Sequence, residues 1–168
     1  CFYNQPANNV SGTVMANVQK PSFLAISREL GLNPETTPVS CPIYSDGSYG
    51  GAMGPAQFMP KTWWNVDEDS GYKFRVTKIL GESLPSPFNN LDAFTGTAIY
   101  LSDAQSLCSG PSGFGSTFEI WSCSAAKYYS GLASRGARLA RYMRPGSYGY
   151  QVATRALSFQ RDIDLLDL

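Results

Sequence analysis

The sequence predicts a mainly α-helical single domain with long irregular loops. Two features carry this. Apolar residues recur at steps of three and four along 91–101 and again along 152–166, the period of a helix with one buried face. Period-2 alternation, the mark of a half-buried strand, is scarce, while Gly and Pro gather between the periodic stretches. The length of 168 residues and an apolar content of 43% suffice for one domain, 1–168, with its own core.

The elements follow in order. Residues 1–20 are polar, with Pro6 and Gly12, and read as an irregular segment or short hairpin. Pro21 and Ser22 can open a helix, "PSFLAISRELGL", with Phe23, Ile26 and Leu30 on one side and Gly31 as its stop. Residues 33–50 are loop. A helix is expected from about Pro55, with Pro60 ending or kinking it before "KTWWNVDED". A short helix covers 73–81, and 81–90 connects it to "NNLDAFTGTAIYLSDAQ". There Leu91, Phe94, Ala98 and Leu101 form the expected core face and Asn90 the cap. After a Gly/Ser-rich loop at 109–116 comes "TFEIWSCSAAKYYSG". The last helix, 147–167, aligns Val152, Ala156, Phe159, Ile163 and Leu166.

Composition removes several function classes. Charged residues make up only 15%, and thirteen bases cancel thirteen acids. A neutral chain without a basic run is poorly suited to nucleic acid or an anionic membrane surface. Aromatics reach 13%, a supply of rings for a neutral polar ligand such as a sugar. There is no His, which rules out Ser-His and Cys-His nucleophile pairs and His metal ligands. No cofactor and no metal are expected. Acid–base chemistry falls to Glu or Asp.

The cysteines stand at 1, 41, 108 and 123, with no CxxC pair. Of the three possible pairings, Cys108–Cys123 would staple a Gly-rich loop, leaving Cys1–Cys41 as the second bridge. Two bridges imply export. No stretch approaches a membrane span. With neither a signal peptide nor an initiator Met, the chain reads as a mature product or a fragment.

The acids are few. Asp67–Glu68–Asp69 reads as an exposed cluster, Asp92 as a favourable charge in a helix first turn, and the acids at 162–167 as a solvated helix face. Glu29 stands on a helix beside apolar neighbours, where burial would raise its pKa.

One stretch fits neither core nor plain loop: "GGAMGPAQFMPKTWW", Gly50 to Trp64. It resembles the Gly-Ala-Met-Gly-x-x-Gln-Phe-Met-Pro-x-x-Trp/Tyr signature of lytic murein transglycosylases, closest to the membrane-bound B type and more loosely to the soluble type. Eight positions agree: Gly51, Ala52, Met53, Gly54, Gln57, Phe58, Met59 and Pro60. "LDAFTGTAIYLSDA", "AAKYYSG" and "YGYQVATRA" resemble further family segments in the same order, so the resemblance covers roughly 23–156.

The resemblance implies a lysozyme-like, mostly helical fold. It implies an exported protein of the periplasm or cell envelope whose partner is the glycan strand of peptidoglycan. Gln57 would hydrogen-bond the glycan, Met53 and Phe58 would shape the cleft floor, and Tyr128 would match the family Tyr near the catalytic acid. Tyr129 stands where the family has Asn. The implied reaction cleaves the β-1,4 bond between N-acetylmuramic acid and N-acetylglucosamine. One Glu first protonates the leaving oxygen. As a base it then helps the muramyl 6-hydroxyl close on C1, giving a 1,6-anhydro product. A single carboxyl suffices because the nucleophile belongs to the substrate.

The family places that Glu N-terminal to the signature, usually as Glu-Ser or Glu-Thr. No such pair precedes Gly50. The expectation is therefore an acid upstream of Cys1, on a segment or second chain that completes the fold. Glu29, twenty-two positions before Gly51, is the candidate within the chain. The rival readings are a peptidoglycan-binding module that has lost the acid, or a structural subunit of an envelope assembly or phage tail.

Overall fold

The computed structural model describes residues 1–3, 15–43, 45, 48–110 and 113–166. It is mainly helical, and it divides into two compact units, Cys1–Ile99 and Tyr100–Leu168. The loop-or-hairpin reading of 1–20 falls, for 4–14, outside the described residues.

In the first unit, a π-helical turn, Met15–Gln19, runs into α1, Lys20–Glu29. Pro21 sits in the first turn, where its missing N–H costs nothing. Phe23, Ile26, Ser22 and Ser27 face the core. Gly31 takes the left-handed conformation just beyond the helix. The chain start is pinned three ways: by the Cys1–Cys41 disulfide, by the Cys1 ammonium donating to Val39 O at 3.0 Å, and by Val39 N donating to Cys1 O at 2.9 Å.

The helix expected from Pro55 does not form. Residues 54–57 make a turn instead, and α2 starts at the second proline, Pro60–Trp63. Gly54 and Gln57 both have positive φ, which a right-handed helix cannot absorb. The continuation to "NVDED" is also a turn, closed by an antiparallel bridge between Asn65 and Ser70. Then α3, Tyr72–Leu80, ends at left-handed Gly81.

The longest departure concerns α4, Asn90–Cys108, which runs from the first unit into the second. Its cap is Asn89, not Asn90: Asn89 Oδ1 accepts from Leu91 N at 2.8 Å and from Asp92 N at 3.3 Å. The expected core face is the exposed one, with Leu91 and Phe94 more than half exposed. The buried residues are Asp92, Ala93, Gly96, Ile99, Tyr100, Ala104 and Cys108. The reason is close approach. A Cβ on Gly96 would lie 3.0–3.1 Å from the rings of Trp63 and Phe58. Large rings on one side demand small residues on the other.

In the second unit, α5, Thr117–Ser130, packs against α6, Gly136–Met143, and α7, Tyr148–Leu166. The α5 contribution to the core is Ser122 to Lys127. Cys108–Cys123 ties the loop at 109–116, in which 111–112 lie outside the described residues. The aligned apolar face of α7 is not a core face. Its buried residues are Gly149 and Ala153, while Phe159, Ile163 and Leu166 are exposed. Among the described residues, no helix is long and apolar enough to cross a membrane.

Candidate functional site

The signature stretch builds a tight antiparallel turn. Met53 N donates to Phe58 O at 2.8 Å, and Phe58 N donates to Met53 O at 3.1 Å. Gly54 has φ +62°, and a Cβ there would fall 1.9 Å from Pro87 O. Only glycine lets the backbone lie that close to the 81–90 connector. Met53 is 0% exposed and Phe58 3%, so both act from beneath the surface, as the floor of the turn. The Phe58 ring meets Trp63 edge-on at 5.2 Å.

Gln57 is the exposed member. It holds φ +57°, unusual for a residue with a side chain. Its Nε2 donates to Gly54 O at 2.8 Å, which leaves the amide oxygen available as an acceptor. The turn is seated on the N-terminal part of the unit. Tyr3 stacks on Phe23 of α1 at 4.4 Å, and its hydroxyl donates to Gly51 O at 2.9 Å. Burial pushes the Tyr3 hydroxyl pKa up.

Glu29 closes α1 on the same unit. Both its carboxylate oxygens accept from Lys73 Nζ, each at 2.6 Å. The Lys73 side chain is 8% exposed and that of Glu29 31%. The ammonium also sits 3.5 Å from the centre of the Trp64 ring. Glu29, Lys73 and Trp64 thus form one cluster, which joins α1 to the end of the signature stretch. The neighbouring acids are engaged otherwise: Asp67 pairs with Lys61 at 3.1 Å, and Asp69 accepts from Trp64 Nε1 at 3.1 Å. A further carboxyl belongs to the Glu82-Ser83 pair, which follows the signature rather than preceding it as the resemblance requires. Glu82 has a raised pKa because the Asp92 charge lies beside it. Asp92 is buried, and it accepts from Ser86 N at 2.7 Å.

Tyr128 and Tyr129 belong to the second unit. Tyr128 meets Tyr100 edge-on at 5.1 Å. The Tyr100 hydroxyl donates to Lys127 O at 3.2 Å, and burial raises its pKa to about 12. Lys127 is buried, and its Nζ donates to Leu132 O at 2.7 Å and Ser134 O at 2.9 Å. Desolvation, then the Arg135 charge, lowers its pKa. Tyr129 belongs to a separate ring cluster: it stacks on Tyr148 at 4.8 Å and tilts against Tyr142 at 5.1 Å.

The structure therefore gathers Met53, Gln57 and Phe58 on one turn, with Glu29 at the end of α1 in the same unit, and Tyr128 and Tyr129 on α5 in the other. It adds Lys73, Tyr142 and Tyr148, none of which sequence reasoning assigned to a site. Tyr142 lies on α6, a helix that the sequence reading left without an element. The signal present was "YMRPGSYGY", three Tyr around a Pro-Gly turn.

Compared with models of known protein families, with curated proteins and with solved structures, the chain shows no match.

Proposed function

We propose that this chain is a peptidoglycan lytic transglycosylase of lysozyme-like fold that cleaves the MurNAc–GlcNAc β-1,4 bond and leaves a 1,6-anhydro product. The observation that carries the reading is the Met53–Phe58 turn. Its backbone takes left-handed conformations at Gly54 and Gln57, and it presents one amide outward over a fully buried apolar base. A residue with a side chain held at positive φ, as Gln57 is, persists where the surroundings over-determine it, commonly at ligand sites. An amide acceptor fits the N–H of an N-acetyl group or a sugar hydroxyl.

Glu29 is the acid the chain itself offers for the reaction. In its protonated state, with one oxygen released from Lys73, it gives its proton to the glycosidic oxygen as the C1–O bond breaks. As a carboxylate it then takes the proton of the muramyl C6 hydroxyl as that oxygen bonds to C1. Lys73 stabilises the carboxylate between these two steps. Two disulfides suit an oxidising compartment. The periplasm or cell envelope, where the substrate lies, is the proposed location.

The test is digestion of purified sacculi by the full chain, read by mass spectrometry. The expected result is 1,6-anhydromuropeptides from the unaltered protein and none from Glu29→Gln. Products that survive Glu29→Gln would move the acid elsewhere, with Glu82 next in line.

A second reading is favoured by one observation. Both Glu29 oxygens are taken up by a buried ammonium, an arrangement that also suits a purely structural ion pair. In that case the chain is a peptidoglycan-binding module without turnover, and sacculi pull it down while no anhydro product forms.

A further inference from the structure

The second unit carries a concave site that the transglycosylase reading does not use. It has a volume of about 340 Å³ and is lined by Tyr129, Arg141, Tyr142, Ser147, Tyr148 and Gln151. That size is at the small end for ligand pockets, enough for the end of a chain but not for a folded partner.

Three of the six lining residues are tyrosines, and the other three are polar. Arg141 is exposed on α6 and makes no ion pair among the described residues. Its guanidinium stands 5.9 Å from the Tyr142 ring, a contact that leaves its N–H donors free. The hydroxyls of Tyr142 and Tyr148 have no hydrogen-bond partner among the described residues. The Gln151 amide nitrogen donates to Gly146 O at 2.6 Å, and this orients the amide and leaves its oxygen to accept. The Ser147 hydroxyl is turned away, donating to Arg144 O at 2.6 Å.

One unpaired guanidinium, one oriented amide acceptor and an aromatic wall match one chemistry. A carboxylate takes the guanidinium, a neighbouring N–H takes the amide oxygen, and small apolar side chains lie on the rings. Arg141 is the one cation among the lining residues, which matches the single charge of a carboxylate better than the double charge of a phosphate. We propose that this pocket binds the C-terminal carboxylate of a short peptide, the stem peptide of peptidoglycan. The identity of the peptide rests on the transglycosylase or peptidoglycan-binding reading above, whereas its capture requires no turnover.

The experiment is calorimetric titration of the full chain with three probes: acetyl-D-alanyl-D-alanine, its C-terminal amide, and N-acetylmuramic acid. The free acid should bind about tenfold tighter than the amide, as a charge-assisted pair at a half-exposed site predicts. Arg141→Gln should erase that difference, and Arg141→Lys should restore part of it. Circular dichroism checks that both variants fold, as expected for an exposed residue. Equal affinity for acid and amide in the unaltered chain would overturn the proposal. So would discrimination that survives Arg141→Gln, or tighter binding of N-acetylmuramic acid than of the peptide. The sacculus digest fails independently. Anhydro products without acid–amide discrimination sink the pocket alone, and discrimination without products sinks cleavage alone.

Discussion

Gln57 concentrates the residue-scale argument. Glycine would adopt its backbone angle more cheaply, and an asparagine nearly so. A glutamine kept there at a cost of about 1 kcal/mol points to use of its side chain. Gln57→Ala should weaken muropeptide binding by about 1–2 kcal/mol, the worth of one buried hydrogen bond, as measured by titration. The fold should survive, because the amide's intramolecular bond closes only its own exposed turn. Unchanged affinity in a folded variant would remove Gln57 from the site. The role of Met53 and Phe58 is different. Both were legible as special from the signature alone, but the sequence could not say that they face inward. In the structure they are core residues that hold Gln57 up, so substituting either would act on stability before it acted on binding.

Elements were legible where local chemistry decides them. A local signal that went unused lies at α5. Its start is set by a reciprocal cap: Glu119 N donates to Ser116 Oγ at 3.2 Å, and Ser116 N donates to Glu119 Oε2 at 3.3 Å. Ser116→Ala should lower the unfolding free energy by about 1 kcal/mol in a urea melt, and Ser116→Asp should recover most of it. A melt indifferent to both changes would mean that tertiary packing alone fixes the helix start. The helix α1 was readable from Pro21 in its first turn and Gly31 beyond its end, and the short helix read at 73–81 is α3, shifted by one residue. The face of α4 was not. Periodicity assumes that the largest apolar residues go inside, yet the rings of Trp63 and Phe58 arrive from elsewhere in the chain and leave room only for a glycine at 96. The same limit hid the true helix start at Pro60. The conformation of residues 54–57 depends on how closely Gly54 approaches Pro87, which lies thirty-three positions further along. The candidate site shows the same division. The signature turn could be read as a motif, while the Glu29–Lys73 pair spans forty-four positions and the Tyr129 cluster joins three helices.

At the scale of the whole molecule, the absence of His leaves the neutral range quiet and moves the pH response to the alkaline side. Tyr100 is one source of that response. Its hydroxyl has an ordinary value of 10.0 and is raised to about 12 in the fold, first by burial. A raised folded value means that its contribution is fully present below pH 10 and is lost as the pH climbs to about 12, because the unfolded chain gives up its proton first. The loss amounts to about 2 kcal/mol across that window. Tyr3 and Tyr148 are shifted upward as well and add to the decline. Lys127 works in the opposite direction. Its folded value is lowered, so its contribution falls away as the pH drops through that value and is fully present only above 10.5. Its gain on raising the pH is therefore complete before most of the tyrosine loss has occurred. The molecule should thus hold its stability up to about pH 10 and then soften steeply, and phenolate absorbance should rise in step with unfolding. Tyr100→Phe removes the ionisation at the cost of the 3.2 Å bond to Lys127 O. It should start out less stable at pH 8 by about 1 kcal/mol and then lose less than the unaltered chain between pH 10 and 12. Parallel urea-melt curves for the two proteins across that window would assign the alkaline softening to the other tyrosines and take Tyr100 out of it.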